Sequence, residues 1–133
     1  MARPGAMTEP WQWTAHEAAI AVLARQLTAR ELAQHALARM HAANPPLNAV
    51  IEHDDAWTLA QAAEVDARLA RGERPPLAGV PITVKDNLWV QGRRISQGSR
   101  LFEDFIAPVD AWPVARLRAM GAVILGITNC SEF

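Results

Sequence analysis

The chain has 133 residues, of which 50% are hydrophobic and 20% charged, with a formal net charge of -1. That is the length of one ordinary domain, too short for two independent catalytic domains, and the balance is that of a globular protein rather than a disordered or membrane-embedded one. The near-zero charge offers no basic field to neutralise phosphates, so no nucleic-acid partner is expected for this segment.

Residues 1–13 read as a loose leader containing Pro and Gly, with no apolar region of the kind that directs secretion. The longest unbroken apolar run, Ala18 to Ala24, is far short of the roughly 20 residues a membrane span needs. No membrane partner is expected, and with Cys130 as the sole cysteine no intramolecular disulfide can form, so the expected compartment is the cytoplasm.

Thr14-Ala-His-Glu17 is a capping-box pattern that predicts a helix running to about Arg25, with Ala15, Ala18, Ala19, Val22 and Leu23 as its apolar stripe. Thr28-Ala-Arg-Glu31 repeats the pattern and opens a second helix with the stripe Leu32, Ala33, Ala36, Leu37 and Met40. Pro45 and Pro46 should stop that helix near Asn44. Leu47 to Ile51 is a weak strand. Asp54 offers a cap for a third helix running to about Arg71, closed by Gly72, with an inward stripe expected at Ala56, Ala60, Ala63, Ala67 and Ala70.

After Pro75-Pro76 the texture changes. Val80 to Val90, rich in Val and Ile, reads as a strand entering a polar loop. Asp110 is placed to cap a fourth helix, Ala111 to Met120, with Gly121 as its stop and Ala122 to Ile127 as a continuous apolar strand. Alternating helix and buried strand argues for an α/β fold: N-terminal helices, then the first strands of a mixed sheet flanked by helices. With only two strong strands visible, the strand at 122–127 lacks obvious neighbours. The expectation is an incomplete sheet whose uncovered edges favour self-association.

His16, His35, His41 and His53 do not fall at metal-ligand spacing, and His53-Asp54-Asp55 reads as a helix start rather than a cation site, so no metal and no cofactor are expected. Cys130 has no His near it in sequence and reads as a partly buried, inert thiol. No phosphate-loop pattern is present, and the five Trp residues are scattered without interleaved basic residues.

Leu77-Ala-Gly-Val-Pro-Ile-Thr-Val-Lys85-Asp-Asn87 is different. Arg supplies 12 of the 13 basic residues, and the single Lys ends an apolar strand, where desolvation favours the neutral amine that can act as a base. A guanidinium cannot take that role, because it does not deprotonate. A surface Lys at a strand end is the equally weighted alternative.

Gly79-Val-Pro-Ile-Thr-Val-Lys-Asp-Asn87, Gly98-Ser99, Asp110-Ala111 with Val114-Ala-Arg-Leu-Arg118, Gly121-Ala-Val-Ile-Leu-Gly126, Thr128-Asn129 and Glu132-Phe133 resemble, in order and spacing, the opening of the amidase signature family. The helical region Thr14 to Gly72 is also similar to that family's N-terminal helices. The resemblance implies hydrolysis or transfer at amide C–N bonds by a Ser, cis-Ser, Lys triad, with Lys85 in the place of the catalytic lysine and Asp86, Asn87, Gly98 and Ser99 as supporting residues. The family's Gly/Ser-rich segment, which carries both serines, follows the stretch that ends here at Glu132-Phe133. The expectation is therefore an N-terminal fragment, residues 14–133, that is inactive alone and whose complete form takes a small amide substrate. Ile95-Ser96, Ile127 and Cys130 depart from the family's common Thr-Thr, Lys and Met. The rivals are a fragment of the A subunit of a glutamyl-tRNA or aspartyl-tRNA amidotransferase, and a noncatalytic module that pairs through its sheet edge.

Overall fold

The computed structural model of the chain describes residues 8–133; the part of the expected leader before residue 8 lies outside them. A 3₁₀ turn at Pro10–Gln12 precedes α1 (Ala15–Leu23), α2 (Ala29–Leu47), β1 (Val50–Glu52), α3 (Asp55–Ala70), β2 (Pro81–Lys85), a second 3₁₀ turn at Arg100–Phe102, α4 (Trp112–Ala119) and β3 (Val123–Thr128). No described helix is long and apolar enough to cross a membrane.

Both predicted capping boxes form. The Thr14 hydroxyl accepts from the Glu17 N–H at 3.2 Å while the Glu17 carboxylate accepts from the Thr14 N–H at 2.8 Å, and Thr28 and Glu31 repeat the exchange at 3.0 and 2.7 Å. Each pair satisfies two amides that a helix start otherwise leaves open. All five stripe residues of α2 are buried. The helix does not stop at Asn44, however, and runs through Pro45 and Pro46 to Leu47. Each Pro removes one amide donor, but both sit in the final turn, where little of the ladder remains to be lost. Asn48 ends the helix in the left-handed region, φ 49°, and its N–H donates to Asn44 O at 2.6 Å. The Asn44 carboxamide meanwhile bonds both the N–H and the C=O of Val50, at 2.8 and 2.9 Å, and so sets the start of β1.

The sheet has three strands in the order β1-β3-β2, with β1 antiparallel and β2 parallel to β3. This is the mixed sheet expected, but with a correction: the last strand does have a neighbour on each side, because the weak apolar run after α2 becomes a true strand at 50–52. Within the described residues the open edges belong to β1 and β2.

The core divides into two clusters. Val22, Leu32, Ala33, Ala62, Val65 and Leu69 from the first three helices pack with Val80 and Val123. Val84, Val90, Ile95, Val114, Ile124 and Ile127 form the second, which joins the strands to α4 and the long connection before it. Leu32 is 1% exposed, and its truncation to Ala carries a cost of about 2–5 kcal/mol.

Two local expectations fail. The buried face of α3 is Thr58, Ala62, Val65 and Leu69, while Ala56, Ala60, Ala63 and Ala70 are not the stripe that packs inward and Ala67 is half-buried. Larger side chains bury more area, so they win the inward face over the alanine stripe. Thr58 is tolerated there because its hydroxyl donates to Ile124 O at 2.8 Å. Asp110 does not cap α4, whose N-cap is Ala111 without a side-chain bond. Its carboxylate instead accepts from the Gln91 N–H at 2.7 Å and from Arg118 at 2.8 Å, tying the connection to the helix.

Candidate functional site

β2 and β3 run parallel, so their C-terminal ends open on the same rim, with Lys85 in register with Thr128. In α/β sheets that rim is where ligands bind. Lys85 is exposed there, at the end of a strand whose preceding Val84 is buried.

The residues after Lys85 are held by a dense set of bonds. The Asp86 N–H donates to Thr128 O at 2.9 Å, which extends the parallel pairing by one step. The Asp86 side chain is 1% exposed and turns to Ser96, accepting from the Ser96 N–H at 2.7 Å and from the Ser96 hydroxyl. The Asp86 carbonyl accepts from the Gln97 N–H at 3.0 Å and from the Cys130 thiol at 3.6 Å. One residue thus fastens two loops to the strand ends.

Gly98 has φ +69°, and a Cβ built there would lie 2.9 Å from the backbone carbon and oxygen of Ser131. Only glycine allows both that conformation and that approach. The Phe133 N–H donates to Gln97 O at 3.0 Å, so residues 131–133 run along the 97–98 turn. Ser99 is buried, and its hydroxyl accepts from the Leu101 N–H at 3.3 Å, starting the second 3₁₀ turn. Asn87 is exposed, and its N–H donates to Lys85 O at 2.7 Å.

The structure therefore gathers Lys85, Asp86, Asn87, Gly98 and Ser99 on one rim. Gly98 and Ser99 act through turn geometry, Asp86 through the bonds that anchor a loop. Ser96 is the residue sequence reasoning missed. It stood out only as a departure from a common Thr-Thr pair, and an Asp ten positions away carries no local signal that it will be the partner. Cys130 is half-buried, as expected.

The family model described as Amidase matches residues 31–133. Among curated proteins, the chain is 48% identical over 110 residues to the A subunit of glutamyl-tRNA(Gln) amidotransferase from Ralstonia nicotianae, covering 83% of this chain and 22% of that protein. It is 49% identical over 113 residues to the corresponding protein from Bordetella petrii, covering 85% and 22%. The chain spans less than a quarter of the length of these relatives. Among solved structures, native peptide amidase from Stenotrophomonas maltophilia is 37% identical with a TM-score of 0.84, over 94% of this chain and 26% of that one. A 6-aminohexanoate cyclic dimer hydrolase is 30% identical with a TM-score of 0.78, over 94% and 25%.

Proposed function

Because the chain belongs to the amidase family, we propose that it is the N-terminal part of an enzyme acting on amide C–N bonds, and that it supplies the catalytic lysine, Lys85. The observation that carries this reading is the position of Lys85 at the C-terminal end of a parallel strand, level with Thr128 and beside a loop anchored by Asp86. In this reading the Lys85 amine accepts a proton relayed through a bridging serine, so that the nucleophilic serine can attack the amide carbonyl. Ammonia or an amine leaves, and water resolves the acyl-enzyme. In the family both serines follow the Asn-x-x-Glu-Phe stretch, and here that stretch lies along the 97–98 turn, on the rim that presents Lys85.

A lysine that ends an apolar strand becomes a base only when its surroundings keep water away. Lys85 is exposed among residues 8–133, so in this proposal the cover comes from the serine-bearing segment and the substrate. The substrate is a small amide, the compartment the cytoplasm, and the open edges of β1 and β2 are the places where the sheet takes further strands or a second copy.

The near-half identity to the tRNA amidotransferase chains over 110 residues favours a second reading, in which the released ammonia passes to a charged tRNA rather than to solvent. The test of the shared chemistry is substitution of Lys85 in the complete enzyme. Lys85→Ala lowers kcat on the order of a thousandfold, and Lys85→Arg restores little, because the guanidinium cannot accept the proton. Substantial activity in Lys85→Arg would show that the residue serves as a fixed positive charge.

A further inference from the structure

His41, His53 and Asp55 are separated in sequence by the end of one helix and the whole of a strand, and the fold brings them together. His41 lies in the second half of α2, His53 follows β1, and Asp55 opens α3. His41 Nε2 is 2.7 Å from Asp55 Oδ2, and His53 Nδ1 is 3.4 Å from Asp55 Oδ1. All three ligand atoms lie within 4.8 Å of one another. Around a tetrahedral zinc ion, with bonds near 2.0–2.1 Å, neighbouring ligand atoms stand about 3.3 Å apart. Side-chain rotations that draw the ligand atoms together by up to about 1.5 Å would place all three on one ion.

We propose that His41, His53 and Asp55 form a surface site for one Zn²⁺ ion that pins the end of α2 to the start of α3.

Asp55 is spared for this purpose. Asp54 caps α3, accepting from the Trp57 N–H at 3.1 Å, so the helix start is served without its neighbour. The Asp55 Oδ1 atom is shielded from solvent and takes no hydrogen bond in the structure, although its partner oxygen is engaged by His41. A shielded carboxylate oxygen with unused lone pairs, facing an imidazole nitrogen, is a ligand atom without another occupation. The two rings stand edge to face with centroids 5.0 Å apart.

Two imidazole nitrogens and one carboxylate oxygen are a donor set suited to Zn²⁺ and poorly suited to Mg²⁺ or Ca²⁺, which take oxygen ligands. His41 and His53 are half-exposed, so an ion can enter and a water can complete the fourth position. Helical spacing could not show this site, because its ligands come from three segments, α2, the link after β1 and the start of α3.

The test uses the full chain without a histidine tag, stripped with chelator and checked for folding by circular dichroism. Zn²⁺ is titrated in competition with a chromophoric chelator, and thermal melts are recorded with and without the ion. One ion binds per chain with micromolar affinity or better, and the melt moves upward. His41→Ala, His53→Ala and Asp55→Ala each weaken binding by at least about tenfold, the loss that removal of even a ligand's hydrogen-bond partner brings. His16→Ala and His35→Ala leave it unchanged, and millimolar Mg²⁺ has no effect. Zn²⁺ binding that survives His41→Ala with His53→Ala overturns the proposal. So does a folded chain that binds no Zn²⁺, which would make the trio an ion pair alone.

Discussion

The Asp86 carboxylate and Ser96 are joined twice, through the Ser96 hydroxyl and through its N–H at 2.7 Å, although ten positions separate them. The residue next to Lys85 therefore fixes a loop rather than facing the amine. Its burial at 1% exposure makes the pair sensitive to removal of either member.

Asp86→Ala leaves a shielded amide and hydroxyl without an acceptor, and the expected loss is about 1–3 kcal/mol in urea denaturation. Ser96→Ala keeps the amide bond and loses about 1 kcal/mol. The double substitution costs less than the two single losses together, because the second removal finds one partner already gone. Additive losses would show that the two residues do not act as a unit.

Gly98→Ala meets both a left-handed backbone and the Ser131 carbonyl, whereas Gly72→Ala meets a backbone at φ +89° with open space around the new Cβ. The expected cost is about 1 kcal/mol for Gly72→Ala and clearly more for Gly98→Ala. Proteolysis within residues 129–133 should rise only in Gly98→Ala, since only that change displaces the chain beside it. Equal stability in the two variants would mean that the approach to Ser131 is readily relieved.

The Glu31 carboxyl is held below the ordinary carboxylate range, chiefly because it accepts from the Thr28 N–H, then from the Thr28 hydroxyl, with His35 adding a small attraction against some desolvation. A depressed folded-state value means that the stabilisation is present at neutral pH and is lost as pH falls through that value. The gap in melting temperature between the wild-type chain and Glu31→Gln therefore closes in acid, below about pH 4. Thr28→Ala costs about 1 kcal/mol at neutral pH through loss of the cap. A gap that widened in acid would contradict the cap.

The chain of 133 residues should release no ammonia from small aliphatic or aromatic amides. Acyl transfer needs an activated nucleophile and oxyanion donors, which supply most of the rate enhancement. Its own hydroxyl candidates are poorly suited: Ser96 is bonded to Asp86 and Ser99 is buried in a turn. Turnover that depends on Lys85 would move attention to exposed Ser131.

The starts of α1 and α2 were legible because a capping box is written in four consecutive residues, and α2's inward face because Leu and Met mark it. The stripe of α3 was misread because many alanines gave two candidate faces, and only packing chooses between them. β1, read as a weak strand at 47–51, forms at 50–52 because what fixes it, Asn44 and β3, is not visible in the local sequence. Lys85 stood out by composition and motif. Ser96 and the His41, His53 and Asp55 trio did not, since each depends on contacts across loops or elements.

Of the three strands described, the one in the middle of the sheet is the last to be made. β1 and β2 both bond to β3 and not to each other. On the ribosome, residues 50–52 and 81–85 emerge with no sheet partner until the stretch through Thr128 has followed them. The helices α2 and α3, which pack together, are complete well before that. Synthesis thus holds a helical layer with two waiting strands, and a single late segment converts it into a sheet by closing loops on both sides at once.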